Sequence, residues 1–300
     1  MCIRDRDKEE DPLLSEYQPV DCDDDPEFQL WKSRNIETQK QEGFHNVQIK
    51  LILGDFSILQ ARSLAKIAED FAGGKLVATV NQNLMIPWVK ENAFGNLFTE
   101  LKKINLHKAG TEEIRDITCC PGSETCNLGI TASRGLVDSL NKDMENGFKP
   151  SKDLDHITIK ASGCPNSCGQ HHIANIGFHG AAMKAPSGEQ IPAYELFLGG
   201  NYGGVSVDKT AIGQRIPRRK IPSKQVPRLL RMMLAYYQEN RHSKEIFNEF
   251  VSRVGNEPFE NMIDVCADIP SLNGDSQDVY MDWEKSIAYK LERGEGECSV

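Results

Sequence analysis

The sequence predicts an α+β fold, and three observations carry that reading. A strand, helix, strand, strand, helix order runs over residues 45–104, and strands and helices alternate again after residue 110. Five of the nine cysteines fall in two short segments, each just past a predicted strand. Three hundred residues suggest about two domains, and a folded chain of that size buries roughly 75% of its unfolded surface without staples.

Residues 1–44 are charged, run through "DCDDDPEF" and hold no sustained period, so they are expected to be an acidic tail or linker. Order is expected to begin at "HNVQIKLIL", where Val47, Ile49 and Leu51 alternate with polar residues as in a half-buried strand. Ser57 with Gln60 three residues on is a capping-box signature. The stripe Leu64, Ile67, Ala68 and Phe71 that follows stops at Gly73 and Gly74. "KLVATV" and "NLMIPWV" read as two strands, and Phe94, Leu97, Phe98 and Leu101 as the face of a second helix. This order resembles one ferredoxin-like α+β unit over residues 45–108, which covers one sheet face and leaves the other wanting a partner.

After residue 110 the texture changes. "EIRDIT" predicts a strand that delivers the chain into "TCCPGSETC"; a helix bearing Leu136, Val137, Leu140 and Met144 follows and ends near Gly147. "DHITIKASG" predicts a strand that runs into "GCPNSCGQ". Both cysteine segments thus occupy turns past strand ends, where open α/β folds place their ligands. "ANIGFHG" and "YELFLGG" add strands, and "VPRLLRMMLAYYQEN" and "SKEIFNEFVSRVG" read as closing helices of a domain over 109–258. Residues 259–300 are expected to wrap the surface as a carboxy-terminal extension.

Composition excludes several functions. A net charge of −9 argues against general nucleic-acid binding, which needs a basic face. No apolar run approaches the ~20 residues of a membrane span. The amino terminus has no apolar core of a signal peptide, so a cytoplasmic, reducing setting is expected and disulfides are a poor account of the thiols.

The cysteine spacings are Cys120-x5-Cys126 and Cys164-x3-Cys168, separated by a helix. Four thiolates on two strand-end loops can converge on a structural zinc or an iron-sulfur cluster, or be a chance grouping of buried cysteines. Paired zinc ligands generally stand two to four residues apart, so the wider spacing favours a [4Fe-4S] cluster. The surrounding glycine, proline and asparagine suit a loop that turns N–H groups toward anionic sulfur.

"TCCPGSETCNLGITAS" followed by "IKASGCPNSCGQHHIANIGFHG" resembles the siroheme and [4Fe-4S] domain of nitrite and sulfite reductases. "GDFSILQARSLAKIAEDFAGGKLVATVNQNLMI" is similar to that family's second ferredoxin-like half-domain, and the likeness covers roughly residues 27 to 255. The resemblance implies that Cys120, Cys126, Cys164 and Cys168 hold the cluster, with Cys168 also the axial thiolate of the siroheme iron. It implies six-electron reduction of nitrite to ammonia, or sulfite to sulfide, with ferredoxin or a flavoprotein as electron donor.

Asn166 is a candidate donor to a cluster sulfur, or a plain turn residue. Arg134, Lys160, Arg215, Arg218, Arg219 and Lys220 are the cations available to siroheme carboxylates or an acidic donor. His171 and His172 are expected to be structural, because the thiolates already supply the ligands. "GGNYGG" lacks the register of a dinucleotide-binding loop, so direct nicotinamide binding is not expected. Family members carry a first half without a counterpart in this sequence, so an amino-terminal partner half is expected and the isolated chain is expected to be inactive. A cluster-bearing electron-transfer module, a precorrin-modifying enzyme and a zinc-stabilised domain are the competing readings.

Overall fold

Asp25 and Pro26 together start a helix in the segment expected to be a tail. The Asp25 carboxylate accepts the Glu27 N–H at 2.8 Å, and proline at the first helical position presets the backbone. The computed structural model describes residues 18–186, 188–203, 210–269 and 277–291. They divide into two units, one ending at Thr111 and one starting at Glu112.

In the first unit, α1 (Pro26–Asn35) is followed by β1 (Ile36–Thr38), β2 (Phe44–Ile49), α2 (Ile58–Ala72), β3 (Val77–Ala78), β4 (Leu84–Lys90) and α3 (Phe94–Lys103). The strands form an antiparallel sheet in the order β1-β2-β4-β3. The capping box at Ser57 and Gln60 is present, and α2 stops at Gly73 in the left-handed conformation. Leu64, Ile67, Leu97, Phe98 and Leu101 bury their helix stripes against Val47, Ile49 and Ile86 of the sheet.

The tail reading of residues 1–44 needs correction from residue 26 on. Phe28 and Trp31, one turn apart on α1, are buried in this same core, and their rings meet Phe98 at 5.3 Å each. Burying an aromatic side chain contributes on the order of 2–3 kcal/mol, so α1 is part of the fold. Residues 1–17 of that expected tail lie outside the described residues.

The second unit has a mixed sheet of β5 (Thr118–Cys119), β6 (Ile159–Ser162), β7 (Ile176–Lys184), β8 (Gln190–Leu198), β9 (Gln214–Arg215) and β10 (Ile221–Pro222). β5, β6 and β7 run parallel in that order, and β8 joins β7 antiparallel and carries β9 and β10 on its far edge. The predicted strand "EIRDIT" shrinks to its end: Ile114 and Ile117 are buried from turns, and pairing begins only at Thr118. Helix α4 (Ser133–Asn146) links β5 to β6, and α5 (Val226–Asn240), α6 (Phe247–Val254) and α7 (Glu257–Ala267) close the unit.

The surface-extension reading of 259–300 also needs correction. Phe259, Ile263 and Cys266 of α7 are buried, and so are Tyr280 and Asp282 beyond it. Among the described residues, no helix is long and apolar enough to cross a membrane.

Candidate functional site

Parallel pairing of β5 with β6 sends both strands out of the same end of the sheet. The register sets Cys119 against Ala161, and Cys120 donates its N–H to the Ala161 carbonyl at 3.2 Å. The segments after the two strands, holding Cys120 and Cys126 in one and Cys164 and Cys168 in the other, therefore share one sheet end, as ligand-bearing loops of α/β folds do.

The loops interlock through backbone. Gly163 donates its N–H to the Cys120 thiol at 3.1 Å, and its carbonyl accepts from Ile130 and Thr131 at 2.8 and 3.0 Å. A Cβ on Gly163 would lie 2.5 Å from the Cα of Gly122, so the two cysteine loops pass too closely there for any other residue. The Ser133 hydroxyl, at the start of α4, donates to the Cys120 carbonyl at 2.6 Å and lies 3.5 Å from its thiol.

Four cysteines lie on these two loops. Burial pushes the Cys164 thiol up, the main-chain N–H of Asn166 pulls it down, and Cys120, Cys126 and Cys168 each push it up again. Cys120 and Cys164 are buried, Cys126 is half-buried and Cys168 is exposed. Among the described residues, no three His, Cys, Asp or Glu side chains are grouped to hold a single metal ion. A [4Fe-4S] cluster takes one thiolate at each of its four irons. The donor set fits such a cluster: four sulfurs, two of them reached by main-chain N–H groups, with one thiol facing out.

The remaining candidates separate. Asn166 acts on Cys164 through its backbone N–H, and its side chain is exposed. Arg134 pairs with Glu124, in the loop between Cys120 and Cys126, at 3.1 Å. Arg215 pairs with Glu195 at 2.7 Å, Arg218 with Asp264 at 2.6 Å and Arg219 with Asp268 at 3.3 Å, while Lys220 donates to the Ala182 carbonyl. Each of these arginines is thus held by an acid of its own chain. The Cys22 thiol donates to the Gly95 carbonyl and the Cys266 thiol to the Met232 sulfur; Cys2 and Cys298 lie outside the described residues.

His171 is fully buried, its Nδ1 2.9 Å from the Ser162 hydroxyl, and burial brings its pKa down to about 3, so the ring is neutral. His172 Nδ1 lies 2.9 Å from the Ser167 hydroxyl, beside Cys168. The two rings, 4.0 Å apart, brace the second cysteine loop.

Lys160 is the cation whose setting the sequence does not reveal. It is only 1% exposed, donates to Thr118 Oγ1 at 3.2 Å and Gln170 Oε1 at 3.1 Å, and lies under the Tyr202 ring. Burial lowers its pKa to about 8, against the opposing pull of Asp116 and Glu112. Strand alternation puts Lys160 with Thr158 and Ser162 on the polar face, which reads as exposed. Here β5 and β7 flank β6 and the chain covers that face.

Comparison with known proteins agrees with this arrangement. Residues 110–268 match the nitrite and sulphite reductase 4Fe-4S domain, and residues 37–104 the nitrite/sulfite reductase ferredoxin-like half domain. The chloroplastic ferredoxin–nitrite reductase of Zea mays is 28% identical over 59% of this chain and 31% of its own length. The assimilatory ferredoxin-dependent nitrite reductase of Haloferax mediterranei is 25% identical over 75% and 37%. Sulfite reductase [ferredoxin] 1 of Mycolicibacterium paratuberculosis is 24% identical over 74% and 40%. The chain therefore spans about a third of the length of the curated relatives it matches. Among solved structures, the Mycobacterium tuberculosis NirA protein shares the fold with a TM-score of 0.64 at 22% identity, over 82% of this chain and 42% of that one. With matching models for both units, covering more than half of its length, this chain belongs to the nitrite and sulfite reductase family.

Proposed function

We propose that this chain is the cluster-bearing part of a siroheme-dependent reductase that converts nitrite to ammonia, with sulfite to sulfide as the alternative. The observation that carries the reading is the gathering of Cys120, Cys126, Cys164 and Cys168 at one sheet end. These thiolates would hold a [4Fe-4S] cluster, and Cys168, the exposed one, would also face the siroheme iron. When bound, cluster and siroheme supply the electrons and the metal that takes the substrate anion.

The chain's own residues supply the setting. The N–H groups of Gly163 and Asn166 offset negative charge on sulfur, and the buried Lys160 adds a cation beneath the same loops. His172 holds Ser167 beside Cys168, and the neutral His171 holds Ser162 at the end of β6. If Arg134, Arg215 or Arg218 holds siroheme carboxylates, it exchanges one carboxylate partner for another.

Nitrite is favoured because relatives described as nitrite reductases recur among the matches, and ferredoxin, which their names carry, is the proposed donor. Turnover is ascribed to these two units acting with an amino-terminal half of the family type, in a reducing compartment. The pairing of every candidate arginine within the chain favours one second reading, an electron-transfer module with a cluster alone. An absorption spectrum of the anaerobically reconstituted chain offered siroheme separates the two. A strong Soret band that moves when Cys168 is replaced supports the reductase, whereas a broad cluster shoulder that siroheme leaves unchanged supports the module.

A further inference from the structure

The stretch Ile130–Ser133 is a hub between the two cysteine pairs. Ile130 and Thr131 donate to Gly163 beside Cys164, the Thr131 carbonyl accepts from Ser123, and Ser133 holds the Cys120 carbonyl. What holds the hub itself comes from residues 277–291, beyond the end of the family match at residue 268.

Two contacts make the connection. The Asp282 carboxylate accepts the Ala132 N–H at 2.8 Å, and the Tyr289 hydroxyl donates to the Ile130 carbonyl at 2.8 Å. Ala132 is the N-cap residue of α4 and has no side-chain oxygen to offer its helix, so Asp282 brings a carboxylate to that positive end from far along the chain. Asp282 is 3% exposed, and its other oxygen accepts from Trp283 at 2.9 Å.

The segment is itself anchored. A Cβ on Gly135 in the first turn of α4 would lie 2.5 Å from Trp283 Cβ, so only glycine lets the tryptophan sit there. Lys224 lies 4.1 Å over the Trp283 ring and pairs with Asp278 at 3.1 Å, Tyr280 packs on Ile191, and Tyr289 donates its N–H to the Tyr280 carbonyl at 2.7 Å. A segment that only covered apolar surface would not place a buried carboxylate on a helix start, because burying that charge is costly.

We propose that residues 277–291 are a clasp, in which Asp282 and Tyr289 act as positioning residues that fix the hub and so set the spacing between the Cys120/Cys126 and Cys164/Cys168 pairs. The cluster consequence rests on the function proposed above; the hold on the hub does not. The full chain carrying Asp282→Ala, Asp282→Asn or Tyr289→Phe tests both parts.

Amide hydrogen exchange of the 126–133 segment is followed in the iron-free chain, and iron release to a chelator in the reconstituted chain. Asp282→Ala is expected to speed both by about tenfold or more and Tyr289→Phe by about fivefold, for one buried charged and one buried neutral hydrogen bond. Asp282→Asn keeps an amide oxygen for Ala132 but turns its NH2 toward the Trp283 N–H and removes the charge at the helix start, so it is expected to fall between wild type and Asp282→Ala. Exchange unchanged in Asp282→Ala and Tyr289→Phe overturns the clasp. A wild-type chain that takes up no iron and sulfide overturns the function reading instead, and hydrogen exchange still decides the clasp.

Discussion

Replacing Lys160 with methionine should remove a pH dependence of stability that only a buried amine produces. The ammonium is almost fully enclosed, and burial lowers its pKa from 10.5 to about 8. Below pH 8 the lysine is charged both folded and unfolded, and the folded chain bears the full cost of burying that charge. Between pH 8 and 10.5 the folded chain has released the proton while the unfolded chain still binds it, so stability rises with pH. At about 1.36 kcal/mol per pH unit the drop amounts to about 3 kcal/mol. Urea unfolding of the iron-free wild type and Lys160→Met at matched pH values reads it directly, because groups common to both cancel in the difference. The wild type should gain about 3 kcal/mol on the variant between pH 7.5 and 10.5. A difference that stays flat over this range would mean that Lys160 is solvated and is not the interior cation described above.

Other perturbations probe separate parts of the molecule. Phe28→Ala or Trp31→Ala should each cost the first unit about 3–5 kcal/mol in denaturant unfolding, the loss expected for a core aromatic and not for a tail residue. Gly163→Ala should abolish iron and sulfide uptake while far-ultraviolet dichroism stays near wild type, since its methyl group would drive the Gly122 backbone away. Uptake at the wild-type level would show that the loops tolerate separation. Ser133→Ala should cost about 1–3 kcal/mol of stability, as the buried Cys120 carbonyl loses its 2.6 Å donor.

Local signals made much of this fold legible. The Ser57 capping box, the Gly73 stop and the apolar stripes of α2, α3, α4 and α5 are short-range patterns, and each helix stands where its stripe put it. The placement of both cysteine segments past strand ends was equally local, and parallel β5 and β6 bring them to one edge. α1 was obscured because its capping Asp25 and Pro26 sit inside the acidic run "DCDDDPEF", where composition outweighed two aromatic residues three apart.

Long-range pairing is where sequence reasoning ran out. Nothing near Arg218 announces Asp264, 46 residues away, so a paired surface arginine and a free ligand-binding one look alike. Asp282, 150 residues from the helix start it caps, reads as one more acid in a polar extension. Lys160 follows the polar alternation of its strand, and only the flanking strands and the covering chain turn that polar face into an interior.

Metal and sulfide content decides whether the four thiols hold a [4Fe-4S] cluster. The full chain, reconstituted anaerobically with iron, sulfide and zinc all present, should carry four irons and four acid-labile sulfides per polypeptide, and replacing Cys164 with serine should remove both. A colourless protein with zinc and no sulfide, or iron content unaffected by loss of Cys164, would contradict the account.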